Sequence, residues 1–162
     1  MDDELAGQIA ALLDMYHVMS LATISPNGPH AVNLFYARDG FTLLWVSDPS
    51  SRHSVEIEAD SRVAATIATD FSDFHQVHGL QLSGHAVRIT DESGRQNARG
   101  HLENRYPFLV ATASAPPELC QAYDRAEFYQ LTPDRIVLID NTRRLGFKRT
   151  LDFALDRQSQ TG

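Results

Sequence analysis

Residues 30–53 read HAVNLFYARDGFTLLWVSDPSSRH, and this stretch carries the clearest structural signals in the chain. Two strand-like runs, 31–37 and 41–47, are separated by Arg38, Asp39 and Gly40. Because an Asp-Gly step supplies the backbone geometry of a tight reversal, this spacing predicts a β-hairpin. The Asp-Pro-Ser-Ser sequence at 48–51 predicts the end of the second strand.

The residues after this hairpin predict a short helix with an anion site at its start. Ser50 or Ser51 would be the N-cap of a helix over 52–58. The amide hydrogens of its first turn, the serine hydroxyls and the Arg52 guanidinium would then converge on one dianionic group. The alternative is purely structural, because serine is a common N-cap and Arg52 would then be solvated.

Periodicity predicts the elements on either side. An amphipathic helix is expected over 3–16, and the strand that follows it over 18–24 leads through a turn into the 31–37 strand. Further strands are predicted over 62–69, 79–90, 126–131 and 135–140, with a bulge or bend at Gly84 and a turn over 132–134. A polar helix is predicted over 91–105, and an irregular piece with a helical turn over 108–122.

These elements predict an α+β protein of mainly antiparallel β structure with peripheral helices, in which six strands are expected to form the sheet. The sheet is expected to close into a small barrel, because closure removes exposed sheet edges. One domain over 1–157 accounts for the chain, and the polar tail 158–162 is expected to be disordered.

Composition excludes several classes of protein and site. A net charge of −7 argues against nucleic acid as a main partner. Cys120 is the only cysteine and the seven histidines are scattered, so neither a disulfide framework nor a metal site is predicted. No run is long enough to span a membrane, and the acidic N-terminus is unlike a secretory signal, so a cytoplasmic location is expected.

The chain contains, in this order, the motifs HAVNLFYARDG with FTLLWVS, SSRHSVEIEADSRVAATI, GLQLSGHAVRI and EFYQLTPDRIVLID. In these motifs and their order it resembles the pyridoxamine 5′-phosphate oxidase-like superfamily of FMN-binding split barrels. The ending DNTRRLGFK, with VNLFYA and SSRH, is similar to a branch of small bacterial proteins rather than to the oxidase itself. The resemblance covers nearly the whole chain and implies a Greek-key split barrel.

The resemblance also implies a homodimer with two FMN molecules in grooves between the subunits. Backbone groups of the first hairpin strand would line the flavin edge, namely Ala31, Val32, Asn33 and Leu34. The ring and ribityl chain would lie beside Trp45, Val46 and Ser47. The phosphate would be bound by Ser51 and Arg52, with His53 where many relatives have lysine.

Other positions have two interpretations each. Gln81 is expected either near the flavin or facing solvent, and Trp45 either beside the cofactor or in the core. Asn33 needs a partner if buried, which a flavin or a neighbouring backbone group would provide. Arg143, Arg144 and Lys148 would border the groove from the second subunit or form ordinary surface charge.

Two functional hypotheses follow. The first is an oxidoreductase that passes electrons from NADH or NADPH through FMN to a small acceptor, which suits a chain without a hydrolase or nucleotide-binding motif. No individual catalytic residue is predicted. The second is a non-catalytic protein that stores or senses FMN or haem, with His75, His78 or His101 as candidate haem ligands. A deazaflavin ranks lower.

Overall fold

The structure is a computed structural model that describes residues 2–110 and 116–153. It contains four α-helices and eight β-strands in these ranges. The helices are α1 (Asp3–Met15), α2 (Arg52–Ala59), α3 (Glu92–Arg105) and α4 (Pro117–Arg125). The strands are β1 (Val18–Ser25), β2 (Gly28–Phe35), β3 (Ala37–Asp39), β4 (Thr42–Ser47), β5 (Arg62–Ile67), β6 (His78–Arg88), β7 (Glu127–Asp140) and β8 (Lys148–Asp152).

The strands form one antiparallel sheet in the order β2-β1-β5-β6-β7-β4-β3, with β8 added beside β7. The two strands at the ends of this order, β2 and β3, are joined in the chain by Tyr36 alone. The sheet must therefore curl until its ends meet at that residue. The predicted α+β class with a curled antiparallel sheet is confirmed, but the prediction of six strands is wrong, because the described residues form eight.

The predicted hairpin is shorter than expected because the 31–37 run breaks at Tyr36. The Tyr36 side chain is fully buried, and its hydroxyl donates to the Leu13 carbonyl at 2.9 Å. Only β3 pairs with β4 across Gly40, whose φ is +58°, whereas β2 pairs with β1. A buried anchor thus overrides the continuous strand that alternation alone predicts.

The predicted turn over 132–134 is wrong, because β7 runs through it without interruption. The register shifts where Ser83 pairs with Arg135 and Gly84 with Pro133, so the strand absorbs the proline in a bulge. A Cβ on Gly84 would lie 2.2 Å from the Thr132 carbonyl oxygen. The predicted irregularity at Gly84 is confirmed, and glycine is required there because no side chain fits.

Two further elements differ from the sequence expectations. The 108–122 piece was expected to be irregular with one helical turn, whereas from Pro117 it belongs to the longer helix α4. The segment after β7 turns at Gly146 into β8, which was not predicted. The predicted tail over 158–162 and residues 111–115 lie outside the described residues.

Two hydrophobic clusters lie on opposite faces of the curled sheet. The larger one fills the barrel beneath α1 and includes Trp45 and Tyr129, which stack with ring centroids 5.7 Å apart. The smaller one lies under α3 and α4 and includes Leu102 and Phe128. Over the described ranges, none of the helices has the length and apolar character needed to cross a membrane.

Candidate functional site

The sheet splits between β2 and β4. Ala37 pairs with Leu44, so a continued ladder would set Phe35 opposite Val46. Instead β2 turns away to pair with β1, and in the described chain its other edge has no strand partner. Beyond Leu44, the edge of β4 that faces away from β7 also has no strand partner among the described residues. Backbone groups on both edges are therefore left without a strand partner where β2 and β4 diverge.

Helix α2 is the next element after β4 and packs against β1 and β2. Its first turn contacts the end of β4 through Ser47 and His53, so it lies beside the split. Ser51 is the N-cap residue, but its hydroxyl makes no capping bond and instead donates to Ser54 Oγ at 2.9 Å. The amide hydrogens of the first helical turn thus lack the usual side-chain acceptor. Such a helix start favours an anion.

His53 lies in the first turn of α2 and is buried, with 7% of its surface exposed. Its Nε2 is 2.5 Å from Ser47 Oγ and 3.2 Å from Ser51 Oγ. Burial, reinforced by the nearby His30, holds the pKa of His53 below its usual value, although Glu56 acts in the opposite direction. The ring is therefore neutral at pH 7, and the structure brings Ser47, Ser51 and His53 together as a hydroxyl-imidazole cluster.

Arg52 points along the helix and pairs with Glu56, with Nε 2.8 Å from Oε1. The second carboxylate oxygen of Glu56 accepts from Thr23 Oγ1 at 2.5 Å. These bonds, that of Thr23 first, lower the pKa of Glu56 to about 2. Within the described residues the terminal nitrogens of Arg52 donate no hydrogen bond, so Glu56 anchors the guanidinium while its outer edge stays available.

The sequence interpretation missed Glu56 and Thr23. The buried polar side chains of the described chain are Thr23, His53, Ser54 and Glu56, and all of them lie on α2 or bond to it. Glu56 stands four residues after Arg52, a spacing that predicts a helical ion pair and could have identified it. Nothing local indicates Thr23, because β1 meets α2 only in the folded chain.

The predicted residues of β2 point to two different sides. Val32 and Leu34 face inward and pack against the barrel core, whereas Ala31 and Asn33 face outward. Asn33 Oδ1 accepts from Ser20 Oγ at 2.7 Å on the exposed face. Its partner is thus a side chain on β1 rather than the backbone group considered from the sequence.

Trp45 is fully buried, and its indole N–H has no hydrogen-bond partner among the described residues. Its side chain therefore belongs to the core, so only its backbone remains available to the split. Val46 packs against the cluster under α3 and α4. Gln81 is exposed on β6. It lies in the same cross-strand row as Asn33 but three strands away, which corresponds to about 14 Å between the two residues along the sheet.

The candidate haem ligands are not brought together by any contact that would form one site. In His78, Nδ1 lies 2.7 Å from the Gln76 carbonyl and Nε2 lies 2.8 Å from the Tyr16 hydroxyl, so both ring nitrogens are engaged. His75 pairs with Asp73, and His101 lies near Asp39. Arg143 pairs with Asp140, Arg144 is exposed on the segment between β7 and β8, and Lys148 is exposed at the start of β8.

Comparison with known proteins adds the evolutionary context. A UPF0306 protein of Photorhabdus laumondii is 25% identical over 134 residues, which is 82% of this chain and 85% of that protein. A haem-binding protein of Mycobacterium smegmatis has a similar fold, with a TM-score of 0.67, 21% identity and coverage of 91% of this chain and 56% of that one. A FAD-binding protein of Mesorhizobium loti does so too, with a TM-score of 0.61, 18% identity and coverage of 81% and 91%.

The family profile described as pyridoxamine 5′-phosphate oxidase matches residues 5–136. That range contains both edges of the split, the whole of α2 and the Gly84 bulge. The resemblance identified from the sequence motifs is confirmed, and the chain belongs to the pyridoxamine 5′-phosphate oxidase family.

Proposed function

We propose that this chain is an FMN-binding flavoprotein that works as a homodimer and passes electrons from NADH or NADPH to a small acceptor. Its strongest support is the gathering of buried polar groups at the start of α2, beside the split in the sheet. A phosphate there would accept from the uncapped amides and from the Ser51 hydroxyl. Arg52 would add charge through its free outer edge.

The residues fit a flavin mononucleotide better than an uncharged ligand. The unpaired backbone edges of β2 and β4 offer donors and acceptors to a polar ring system, and α2 offers the anion site at one end. A bound flavin would supply the redox chemistry. The FAD-binding neighbour of the same fold supports a flavin as the ligand class.

A homodimer is supported by the outward face of β1, β2, β5 and β6. Its central row holds uncharged side chains, namely Asn33, Ser20, Thr66 and Gln81. Large apolar side chains are exposed around that row, namely Val18, Ile24, Phe35 and Val87. Such a face is suited to isologous pairing, in which the same surface is used by both copies.

Arg52→Ala tests the anion site. The variant is expected to bind FMN about 10- to 100-fold more weakly, since a hydrogen bond to a charged group contributes about 1.5–3 kcal/mol. Arg62→Ala is the matched control, because Arg62 is also exposed and paired with a nearby carboxylate, Asp60, but lies beyond the other end of α2. Fluorescence titration measures both affinities, and an equal loss in the two variants would contradict the site.

Spectroscopy of the loaded protein separates the functional alternatives. Bleaching of a flavin spectrum by NADH or NADPH supports the oxidoreductase, whereas a flavin spectrum that neither reductant changes supports a binding protein. A Soret band would instead support haem, as in the Mycobacterium smegmatis neighbour. Sedimentation of the same sample reports whether the loaded species is a dimer.

The buried imidazole predicts a pH dependence of FMN affinity. Because His53 is neutral in the free protein, a phosphate dianion beside it would favour the imidazolium form, and binding would take up a proton. Affinity is therefore expected to rise between about pH 8 and about pH 6.5, with a smaller rise in His53→Gln. Riboflavin, which lacks the phosphate, is the control ligand; an equal rise for riboflavin or in the variant would contradict the role of His53.

A further inference from the structure

A cavity lies on the opposite side of β4 from the barrel core. It has a volume of about 390 Å³ and is walled by β4, by the 3₁₀ turn Pro107–Leu109 and by α4. Most of its lining is apolar, contributed by Val46, Leu109, Leu119 and Ala122. This volume lies within the range of small-molecule sites.

The charges at the edge of this cavity are Asp48 and Arg125. Asp48 is satisfied locally, since its Oδ1 accepts from the Ser50 amide and the Ser50 hydroxyl, each at 2.7 Å. Arg125 makes neither an ion pair nor a side-chain hydrogen bond with any residue the structure describes. Among the described residues, the cavity thus combines an apolar interior with one cation, Arg125, that has no ion-pair partner.

We infer that this cavity binds a small aromatic molecule carrying one carboxylate, with the ring among Val46, Leu109 and Leu119 and the carboxylate on Arg125. An apolar body enters because its surface leaves water, and the guanidinium gives a carboxylate two parallel hydrogen bonds. A dianionic ligand fits less well, because Asp48 lies at the same edge.

The position of the cavity suggests its role. Ser47 contributes to its wall, and the Ser47 hydroxyl contacts His53 in the candidate phosphate cluster on the other side of β4. A ligand in the cavity would therefore lie next to the proposed flavin site. Its assignment as the electron acceptor depends on the proposed function, whereas the binding site itself does not.

Calorimetric titration of the purified protein with 2-naphthoate and with uncharged 2-naphthamide tests the inference. Arg125→Gln is expected to weaken 2-naphthoate binding about tenfold while leaving 2-naphthamide unchanged. Arg144→Gln is the matched control, since Arg144 is exposed and does not line the cavity, and its neighbour Arg143 pairs with Glu4 of α1. Equal binding of 2-naphthoate to wild type and Arg125→Gln, or no binding to wild type, would overturn the assignment.

Ala122→Trp fills the cavity from an exposed helical position and is expected to abolish binding of both probes. Far-ultraviolet circular dichroism checks that the variant folds, and the Arg125→Gln experiment does not depend on this variant.

FMN titration of the Ala122→Trp variant separates the two proposals. Retained FMN binding with lost 2-naphthoate binding supports two separate sites. Loss of both in a folded variant would show that the cavity is part of the FMN-binding site and would overturn the inference of a separate site. Failure of the wild-type protein to bind FMN would contradict only the proposed function.

Discussion

Trp45→Ala is expected to lower the free energy of unfolding by about 3–5 kcal/mol, the usual range for removing a large aromatic side chain from a core. Trp45 is completely buried, stacks on Tyr129 and lies in the larger core cluster, so alanine would leave a cavity that the barrel cannot easily collapse around. Urea unfolding measures the loss. A cost of about 1 kcal/mol or less would mean that the side chain does not fill the core.

Trp45→Phe distinguishes a core role from a cofactor role. Phenylalanine retains most of the apolar volume and removes the indole N–H, which has no partner in the described chain, so the destabilisation is expected to be smaller than for alanine. FMN affinity is expected to remain unchanged, because the indole points into the core rather than into the split. A large loss of FMN affinity in a stably folded Trp45→Phe would show that the indole itself contacts the ligand.

Arg105→Ala is expected to cost about 2–4 kcal/mol of unfolding free energy, because several charge-assisted hydrogen bonds are lost together. Helix α1 has no basic residue in its last turn, and Arg105 from α3 supplies the missing charge. Its Nη2 lies 3.2 Å from the Leu13 carbonyl, 3.1 Å from that of Asp14 and 2.6 Å from that of Tyr16. Removal of the Arg105 side chain would leave the last carbonyls of α1 without these donors and weaken the packing of α1 on the barrel.

The aromatic rings around Arg105 add to this effect. The guanidinium carbon lies 5.4 Å from the centre of the Tyr36 ring and 5.8 Å from that of Tyr106. The Tyr106 hydroxyl in turn donates to the Tyr36 carbonyl at 2.6 Å, at the residue where the sheet closes. Arg105 therefore stabilises both the end of α1 and the closure of the barrel.

Arg99→Ala on the same helix is the control for Arg105→Ala. Arg99 is more exposed and pairs with Glu103 at 3.3 Å, so its removal is expected to cost about 1 kcal/mol or less. Arg105→Lys should recover part of the loss, because a lysine ammonium lacks the planar fork that reaches several carbonyls. Urea unfolding compares all three variants, and equal costs for Arg99→Ala and Arg105→Ala would contradict the capping role.

The candidate site was partly predictable from the sequence. The Ser-Ser-Arg-His run predicted a helix start with serine hydroxyls and the Arg52 guanidinium around one anion, and the family resemblance added His53. The structure brings Ser51 and His53 into contact and adds Ser47 to them. That these groups bind FMN stays a prediction. The orientation of Arg52 was not predictable, because its carboxylate partner Glu56 is held by Thr23, which lies on β1, 33 residues before Glu56 in the chain.

The sequence by itself determined the local elements, since alternation, an Asp-Gly step and N-cap residues act over a few positions of the chain. It correctly indicated α1, α2, the hairpin turn at Gly40 and the irregularity at Gly84. Only the tertiary structure decided where the sheet splits, that β7 runs through Pro133, and that Arg105 caps α1. These features depend on pairs of residues far apart in the chain, whose proximity arises when the barrel closes and buries its apolar face.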